Sequence, residues 1–373
     1  MTSAGAAFRT EPIIIGLVCD TSGPGASYAV PACNATELAI DKINSEGGVR
    51  GRPLAYVEGN DESDPTKTAT VLQKQVSRGA SALIVLTSSS GVLQAKPIIE
   101  RMGVPVIMSV GTTTAVVEPP NNTYLYELAQ PSSDWGRMYC EAFQRHGYRK
   151  LAVVQDNSPS QVKYNKTLLA AMPCVQQHVE TVPIDSPDAS AIASRTKDFQ
   201  PDAVLVASQS INVEVLVHNA FATQLPDVPR FTVATLAATP SAWQRVQPGG
   251  LNGVVGLSAL TDHNERSRDV TEFYRSRLGE GFTMSSFWAQ SYDGVQLLAT
   301  AIDNAGRADD GPAINAALQR INAYPASFGY PGFALSFGPD KHLGPDGLCG
   351  QVFVTWGADN RLAGPWPGYE PSC

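Results

Sequence analysis

The sequence predicts an α/β fold made of two doubly wound lobes. Short, continuously apolar segments, typical of buried parallel strands, alternate with longer segments whose apolar residues recur at helical spacing. This alternation occurs in two successive sets, one before and one after Gln130, which favours two lobes. The chain has 373 residues, 43% of them hydrophobic, which is long and apolar enough to form a buried core in each of two lobes. Between two such lobes we expect a cleft that binds a small ligand.

The first set of alternating elements begins with the apolar run after Pro12. A glycine-rich turn at 23–25 then leads towards a helix. Asp64 and Pro65 are a favourable helix start, because proline fits the first helical position. Predicted strands cover 12–18, 54–58, 82–86 and 104–108, and predicted helices cover 34–44, 66–78 and 91–102.

The second set repeats the alternation and ends in a tail that is rich in glycine and proline. From Tyr324 onward, only two short runs, 333–337 and 352–356, have the pattern of strands. The predicted strands before the tail cover 151–154, 203–207, 231–234 and 254–257, and the predicted helices cover 135–146, 212–223, 267–278 and 287–304.

Two hydroxyl-rich turns, 87–90 and 109–114, each follow a predicted strand. Because the two strands flank one helix, they should be parallel neighbours, with both turns at the same edge of the sheet. Hydroxyl and N–H groups at a helix start suit a carboxylate, which the helix dipole also favours. Serine and threonine also serve as ordinary caps and turn residues. Two such turns at one edge favour an anion-binding site.

Composition and motifs exclude several other classes of function. The formal net charge is −8 without a compensating basic stripe, so nucleic acid is not an expected partner. The turn at 23–25 lacks the lysine of a phosphate-binding loop. No G-x-S-x-G or H-E-x-x-H motif occurs, and we expect no enzyme activity. The cysteines and histidines form no local ligand cluster, so neither a metal nor a cofactor is expected.

The six cysteines are even in number and contain no C-x-x-C pair. They could be buried thiols, but we favour disulfides and an oxidising compartment. Residues 1–11 contain no apolar core of signal-peptide length, so an export signal is expected to have been removed or never present. Many pairings are open; joining sequence neighbours predicts Cys19–Cys33, Cys140–Cys174 and Cys349–Cys373.

Several segments together resemble one protein family, the type I periplasmic binding proteins. The segments are IIIGLVCDTSGPGASY, AIDKINSEGGVRGRPL, GNDESDPTKTATVLQKQV and SYDGVQLLATAI. The similarity is to the leucine/isoleucine/valine-binding group, which serves ABC importers, and it covers about 12–365. It implies a monomeric solute-binding protein outside the cytoplasm that delivers its ligand to an ABC permease. Such a location is compatible with a lipid anchor on the full-length precursor.

The resemblance also implies that three crossovers join the lobes and that the lobes close on the ligand by hinge bending. The crossovers fall near Gln130, Ser258 and Phe328. Lobe 1 is then 12–130 plus 259–327, and lobe 2 is 131–258 plus 328–373.

The family's ligand-binding positions can be carried over one by one. Ser89, Gly111 and Thr113 match positions that hold the ligand's carboxylate, and Ser88 and Thr112 lie beside them. Tyr28 matches an aromatic lid residue of the first loop. The candidates in the second lobe are Trp135 at a helix start, Ser160, Gln209 and Thr235; Trp135 could equally pack at the hinge.

The second lobe departs from the family pattern. Amino-acid-binding members carry an acidic residue for the ligand's ammonium after the strand that matches 231–234, whereas 235–239 here contains none. Ser158-Pro159-Ser160 replaces a Tyr-Gly pair, and Asp156 is expected to brace this loop. A buried ammonium without a partner is costly, so a carboxylic or aromatic acid without an amine is favoured over an amino acid-like ligand, which stays open. The alternative is a sensing module of the same fold.

Overall fold

The computed structural model describes residues 11–23, 25–111 and 113–371, with the side chains of Ser27 and Ser160 outside that description. Within this range the chain forms two compact units. Unit 1 contains the chain up to Pro131 together with Asn264–Gly350, and unit 2 contains Ser132–His263 together with the chain from Gln351 onward. The chain therefore passes between the units three times.

The last of these passages differs from the expected position near Phe328. The segment 328–350 belongs to unit 1 because it is bonded to the end of the first sheet. The Gln130 side chain donates to the carbonyl of Gly347 (2.7 Å) and accepts from the N–H of Gly350 (3.0 Å). Backbone hydrogen bonds also join Glu127 to this segment. Extended, glycine-rich chain of this kind has no periodicity from which its unit could be predicted.

Strands and helices are numbered here in chain order. The strands are β1 (Ile13–Cys19), β2 (Leu54–Asn60), β3 (Ala80–Val85), β4 (Val106–Met108), β5 (Leu125–Glu127), β6 (Lys150–Asp156), β7 (Gln176–Val182), β8 (Ala203–Ala207), β9 (Arg230–Thr232), β10 (Val255–Ser258), β11 (Tyr324–Pro325), β12 (Ala334–Leu335), β13 (Val352–Trp356) and β14 (Leu362–Pro365). The helices are α1 (Ala26–Ser45), α2 (Pro65–Ser77), α3 (Ser89–Met102), α4 (Ser132–His146), α5 (Pro159–Ala170), α6 (Ser190–Phe199), α7 (Ile211–Gln224), α8 (Ala234–Ala237), α9 (Glu265–Leu278), α10 (Ser286–Ala305) and α11 (Gly311–Leu318), with short 3₁₀ helices at Thr114–Val116 and Pro240–Arg245.

The two main sheets share one strand order. Unit 1 contains the parallel sheet β2-β1-β3-β4-β5. In unit 2 the parallel strands run β7-β6-β8-β9-β10, and β13 and β14 extend this sheet in the antiparallel direction. The first strand of each unit lies between the second and the third, which is the doubly wound order. The predicted α/β fold of two doubly wound units is confirmed.

Buried apolar side chains cover the sheets, as the continuous apolar strands predicted. One cluster in unit 1 packs α2 and α3 against β3 and β4, with Leu83, Val85 and Ile99 among its members. A cluster in unit 2 packs α6 and α7 against β6 and β8, including Val204 and Phe221. None of the described helices combines the length and the apolar character that a membrane span requires.

The sequence failed to predict the elements between 159 and 199. Here the structure has α5, β7 and α6. Strand β7 lies at the end of its sheet, and its sequence QQHVETV leaves several side chains exposed, so it lacks the apolar run of a central strand. The predicted strand at 231–234 is also too long, because β9 ends at Thr232 and α8 follows directly.

Two predicted disulfides are confirmed, and each lies within one unit. Cys19–Cys33 joins the end of β1 to α1 in unit 1, and Cys140–Cys174 joins α4 to the segment before β7 in unit 2. The third predicted pair, Cys349–Cys373, lies outside the described residues because Cys373 does. Both observed links tie a helix to a neighbouring part of its own unit, which fits an oxidising compartment.

Candidate functional site

The turns after β3 and β4 start side by side in unit 1. The last residues of the two strands, Val85 and Met108, are partners in the parallel ladder. Ser88 precedes α3 in an extended conformation, and its hydroxyl accepts a hydrogen bond from the N–H of Ser90 (3.3 Å). Ser89 is the first residue of α3 and is half-buried. Ser88 is therefore a helix cap, and Ser89 lies at a helix start where N–H groups face outward.

The turn after β4 contains Gly111 and Thr113, while Thr112 lies outside the described residues. Gly111 is buried, and a Cβ added to it would lie only 2.6 Å from the sulfur of Met108. A side chain at this position would therefore displace the turn. Thr113 is half-buried, extended, and precedes the 3₁₀ helix Thr114–Val116. The structure thus places the four described carboxylate candidates of this unit at one sheet edge.

Lys96 holds the second turn from the side of α3. Its ammonium donates to the carbonyl of Ala115 (2.9 Å) and to that of Glu118. The side chain is only 8% exposed, and burial lowers the pKa of Lys96, while the charge of Glu118 opposes that shift. The sequence analysis missed this residue, because a lysine in a helix is usually a solvated surface residue.

Glu127, the last residue of β5, lies beneath the same turn. It is fully buried, and neither of its carboxylate oxygens has a hydrogen-bond partner among the described residues. Burial raises the pKa of Glu127 well above its usual range, and the nearby backbone N–H of Thr113 opposes this shift. Sequence analysis missed this residue as well, although an acid inside the apolar run LYELA is a detectable signal.

Two buried aspartates brace the loops after β1 and β2. Asp20 accepts the Ser63 hydroxyl (2.6 Å) and three N–H groups of its own loop. Burial opposes its ionisation, but these hydrogen bonds outweigh burial and lower the pKa of Asp20. Asp61 accepts the hydroxyls of Thr68 (2.7 Å) and Thr87 (3.0 Å), so it ties the loop after β2 to the turn after β3. Asp20 directly follows β1, and Asp61 directly follows β2.

Tyr28, the predicted lid residue, packs inside unit 1. Its ring centroid lies 5.7 Å from that of Phe287, and its hydroxyl is hydrogen-bonded to Ser63. Burial raises the pKa of Tyr28 to about 12. The residue therefore belongs to the loop network around Asp20 and is half-buried.

In unit 2, Asp156 braces its loop, as predicted. The carboxylate accepts the Ser208 hydroxyl (2.7 Å) and the N–H groups of Gln209 (3.0 Å) and Ser210 (3.3 Å). The Gln209 side chain is exposed and donates to the hydroxyl of Ser158 (2.8 Å). Asp156 therefore binds the turns after β6 and β8 to each other.

The other candidates in unit 2 are scattered over three helices. Trp135 is only 6% exposed, and its ring meets that of Tyr164 on α5 (centroids 5.8 Å apart). Thr235 is half-buried in α8, where its carbonyl accepts the hydroxyl of Thr239 (2.9 Å). Ser160 is in the first turn of α5, and its side chain lies outside the described residues. Of these, Trp135 is placed as a packing residue between α4 and α5.

An acid does lie beneath the edge of unit 2, although not in the loop where it was sought. Glu214 of α7 accepts the Thr232 hydroxyl (2.8 Å), and His218 lies one turn further along (Nε2 to Oε2, 3.3 Å). Both side chains are fully buried, and burial raises the pKa of Glu214 and lowers that of His218, which favours the neutral form of each. No group of three His, Cys, Asp or Glu among the described residues could hold a metal.

Comparison with known proteins identifies the family. The model of the periplasmic binding protein family matches residues 12–352. The Leu/Ile/Val-binding protein homolog 1 of Brucella abortus (strain 2308) is 21% identical over 357 residues, which cover 94% of this chain and 92% of that protein.

Solved structures share the fold. The branched-chain amino acid transporter substrate-binding protein LivJ of Streptococcus pneumoniae, in complex with isoleucine, matches with a TM-score of 0.79 at 20% identity and covers 95% of this chain and 98% of its own. A periplasmic binding protein type 1 of Bordetella pertussis Tohama I matches with a TM-score of 0.79 at 16% identity, covering 95% and 100%. Because the family model spans most of the sequence, the chain belongs to the type I periplasmic binding proteins of the leucine/isoleucine/valine-binding kind.

Proposed function

We propose that this protein captures a small carboxylate-bearing ligand outside the cytoplasm for an ABC importer, with Ser89, Gly111 and Thr113 as the carboxylate site. One observation carries the proposal: the turns after β3 and β4 are neighbours in unit 1, and one of them starts the 14-residue helix α3. Helix N–H groups and hydroxyls at such a start bind carboxylates, and the helix dipole adds to the attraction. Family membership supports the transport role.

The proposed ligand is an apolar carboxylic acid without an α-amino group. The Brucella abortus and Streptococcus pneumoniae proteins are named for branched-chain amino acids, which favours a ligand with an apolar body. The loops after β6, β8 and β9 contain no acid, and Asp156, the last residue of β6, has a buried carboxylate that accepts several hydrogen bonds. Glu214 is buried below this edge. Neither acid is available to an ammonium group, which would lose its hydration without compensation.

A thermal-shift screen tests the ligand class. One set contains leucine, isoleucine and valine, and the matched set contains their amine-free counterparts together with benzoate. A ligand at about 100 times its dissociation constant adds about 2.7 kcal/mol to the free energy of unfolding, which is readily visible. We expect a shift with amine-free acids only. A shift with the amino acids instead would contradict the proposed ligand class and leave the carboxylate site standing.

A double variant, Ser89→Ala/Thr113→Ala, tests the site. Hydrogen bonds to a charged group are worth about 1.5–3 kcal/mol each, so we expect affinity to fall at least about tenfold while the far-ultraviolet circular dichroism stays unchanged. The matched control is Ser77→Ala/Thr300→Ala, which removes two exposed hydroxyls of the same unit. Calorimetry measures the affinity, and an unchanged value in Ser89→Ala/Thr113→Ala would contradict the site assignment.

A further inference from the structure

We propose that Glu127 is a positioning residue for Gly111 and Thr113, and that these two residues bind a ligand carboxylate only while Glu127 carries a proton. Loss of that proton then weakens anion capture. This inference rests on the proposed carboxylate site and adds a determinant of its affinity that the family resemblance does not contain.

The backbone of Glu127 is fixed directly beside the turn. Glu127 pairs with Met108, the residue from which the turn departs. Its N–H donates to the carbonyl of His342 (3.0 Å), and its own carbonyl accepts from the N–H of Gly344 (2.8 Å). The side chain therefore has little freedom to leave its position, and any change in its charge acts on the turn.

The carboxyl group is buried without a compensating partner. It is fully inaccessible to solvent, and no geometric hydrogen bond from the described residues reaches either oxygen. An ionised carboxylate in such a place is expensive, whereas the neutral acid costs far less. Burial is accordingly the largest cause of the raised pKa of Glu127.

The backbone N–H of Thr113 is the donor for which two carboxylates compete. It is the polar group that acts on the ionised form of Glu127. A negative Glu127 attracts this N–H inward and repels a second negative charge at the turn. A protonated Glu127 has neither effect, so the N–H remains available to the ligand.

The charged and titratable groups around this end of the sheet are engaged elsewhere. Lys96 on α3 donates to the carbonyls of Ala115 and Glu118. The Glu118 carboxylate accepts the hydroxyl of Thr114 (2.5 Å). The ring nitrogens of His342 lie at the carbonyls of Leu125 (2.8 Å) and Pro339 (3.1 Å), and Lys341 pairs with Asp346 (2.5 Å). These contacts leave no cation to neutralise an ionised Glu127 among the residues that the structure describes.

The test compares the pH dependence of binding in wild type and in Glu127→Gln, which keeps the shape and removes the ionisable proton. Calorimetry with isovalerate and benzoate as probes covers pH 5 to about pH 9. If only the protonated form binds, the dissociation constant of the wild type rises up to about tenfold per pH unit above the pKa of Glu127. Glu127→Gln should show no such rise. The matched control is Glu214→Gln, an equally buried acid of unit 2, which should keep the wild-type slope.

A second readout reports Glu127 without any ligand. The infrared difference spectrum of wild type minus Glu127→Gln should contain the band of a protonated carboxylic acid at pH 7. Carboxylate bands alone, an identical pH slope in Glu127→Gln, or a flat wild-type profile over the whole range would each overturn the inference. Failure of both probe acids to bind would instead refute the proposed amine-free ligand class, and the infrared result would remain interpretable.

Discussion

Asp293 offers a quantitative test of how a buried carboxyl group makes the stability of this protein depend on pH. It lies on α10 in unit 1 and is fully buried. Its carboxylate accepts the N–H of Ser327 (2.7 Å) and the hydroxyl of Tyr324 (3.1 Å), and Arg266 lies 3.8 Å away. Burial raises the pKa of Asp293 from its ordinary 3.8 to about 6, although Arg266 and the hydrogen bonds oppose the shift.

The sign of the pH effect follows from this direction. The folded state holds the proton more tightly than the unfolded chain, so this stabilisation is fully present below about pH 4 and is lost as the pH rises through about 6. One pKa unit corresponds to about 1.4 kcal/mol, so the shift from 3.8 to about 6 is worth about 3 kcal/mol. Because other acids also change the free energy of unfolding with pH, the contribution of Asp293 is read from the difference between wild type and variant.

The assay uses Asp293→Asn and native-state hydrogen exchange of α10 peptides, corrected for intrinsic exchange rates. Exchange reports the opening free energy of this unit, which a global melting curve of a two-unit protein does not isolate. The difference between wild type and variant should shift by about 2.4 kcal/mol in favour of the variant between pH 4 and pH 7, because part of the full effect already occurs below pH 4. Any change in opening free energy that the asparagine causes equally at both pH values cancels in this comparison. A difference that stays constant with pH would refute the argument from burial.

Two further substitutions test single contacts. Lys96→Met should lower the affinity for a carboxylate probe about tenfold, because it releases the carbonyls of Ala115 and Glu118. Calorimetry measures this affinity, and Lys74→Met, which changes an exposed lysine, is the control. Gly136→Ala should cost about 1–3 kcal/mol, because its Cβ would lie 2.4 Å from the carbonyl oxygen of Leu168 on α5. Gly281→Ala, with no atom within 4 Å of the new Cβ, should leave the melting temperature unchanged; equal melting temperatures for both glycine variants would contradict the packing argument.

The fold was predictable because central parallel strands are apolar throughout. The run at Ile13–Cys19 and the one at Ala203–Ala207 are buried along almost their whole length, and both were recognised. The edge strand β7 was not, since half of it faces solvent and its sequence resembles a loop. The short helix α8 was missed for another reason: ATLA contains too few residues for a helical period to show.

The polar framework of the site was less predictable, because its partners are distant in sequence. Glu127 and Thr113 are 14 positions apart, and only the pairing of β4 with β5 brings them together. Glu214 was missed because the acid was sought in the loop after β9, whereas it comes from α7. Residue types reveal that a loop can bind an anion, but the pairing of strands decides which of its donors are already used.

The same consideration favours unit 1 for the proposed carboxylate site. Both units contain a serine-rich turn between their third parallel strand and the following helix, at 88–90 before α3 and at 208–210 before α7. In unit 2 the protein's own Asp156 fills this position and accepts the Ser208 hydroxyl and the N–H groups of Gln209 and Ser210. In unit 1 Asp61 accepts the Thr87 hydroxyl at the start of this turn, but no carboxylate of the described residues bonds to 88–90, where the Ser88 hydroxyl caps α3. A helix start whose donors already bind an internal anion has little attraction for another, so an external carboxylate is favoured at α3.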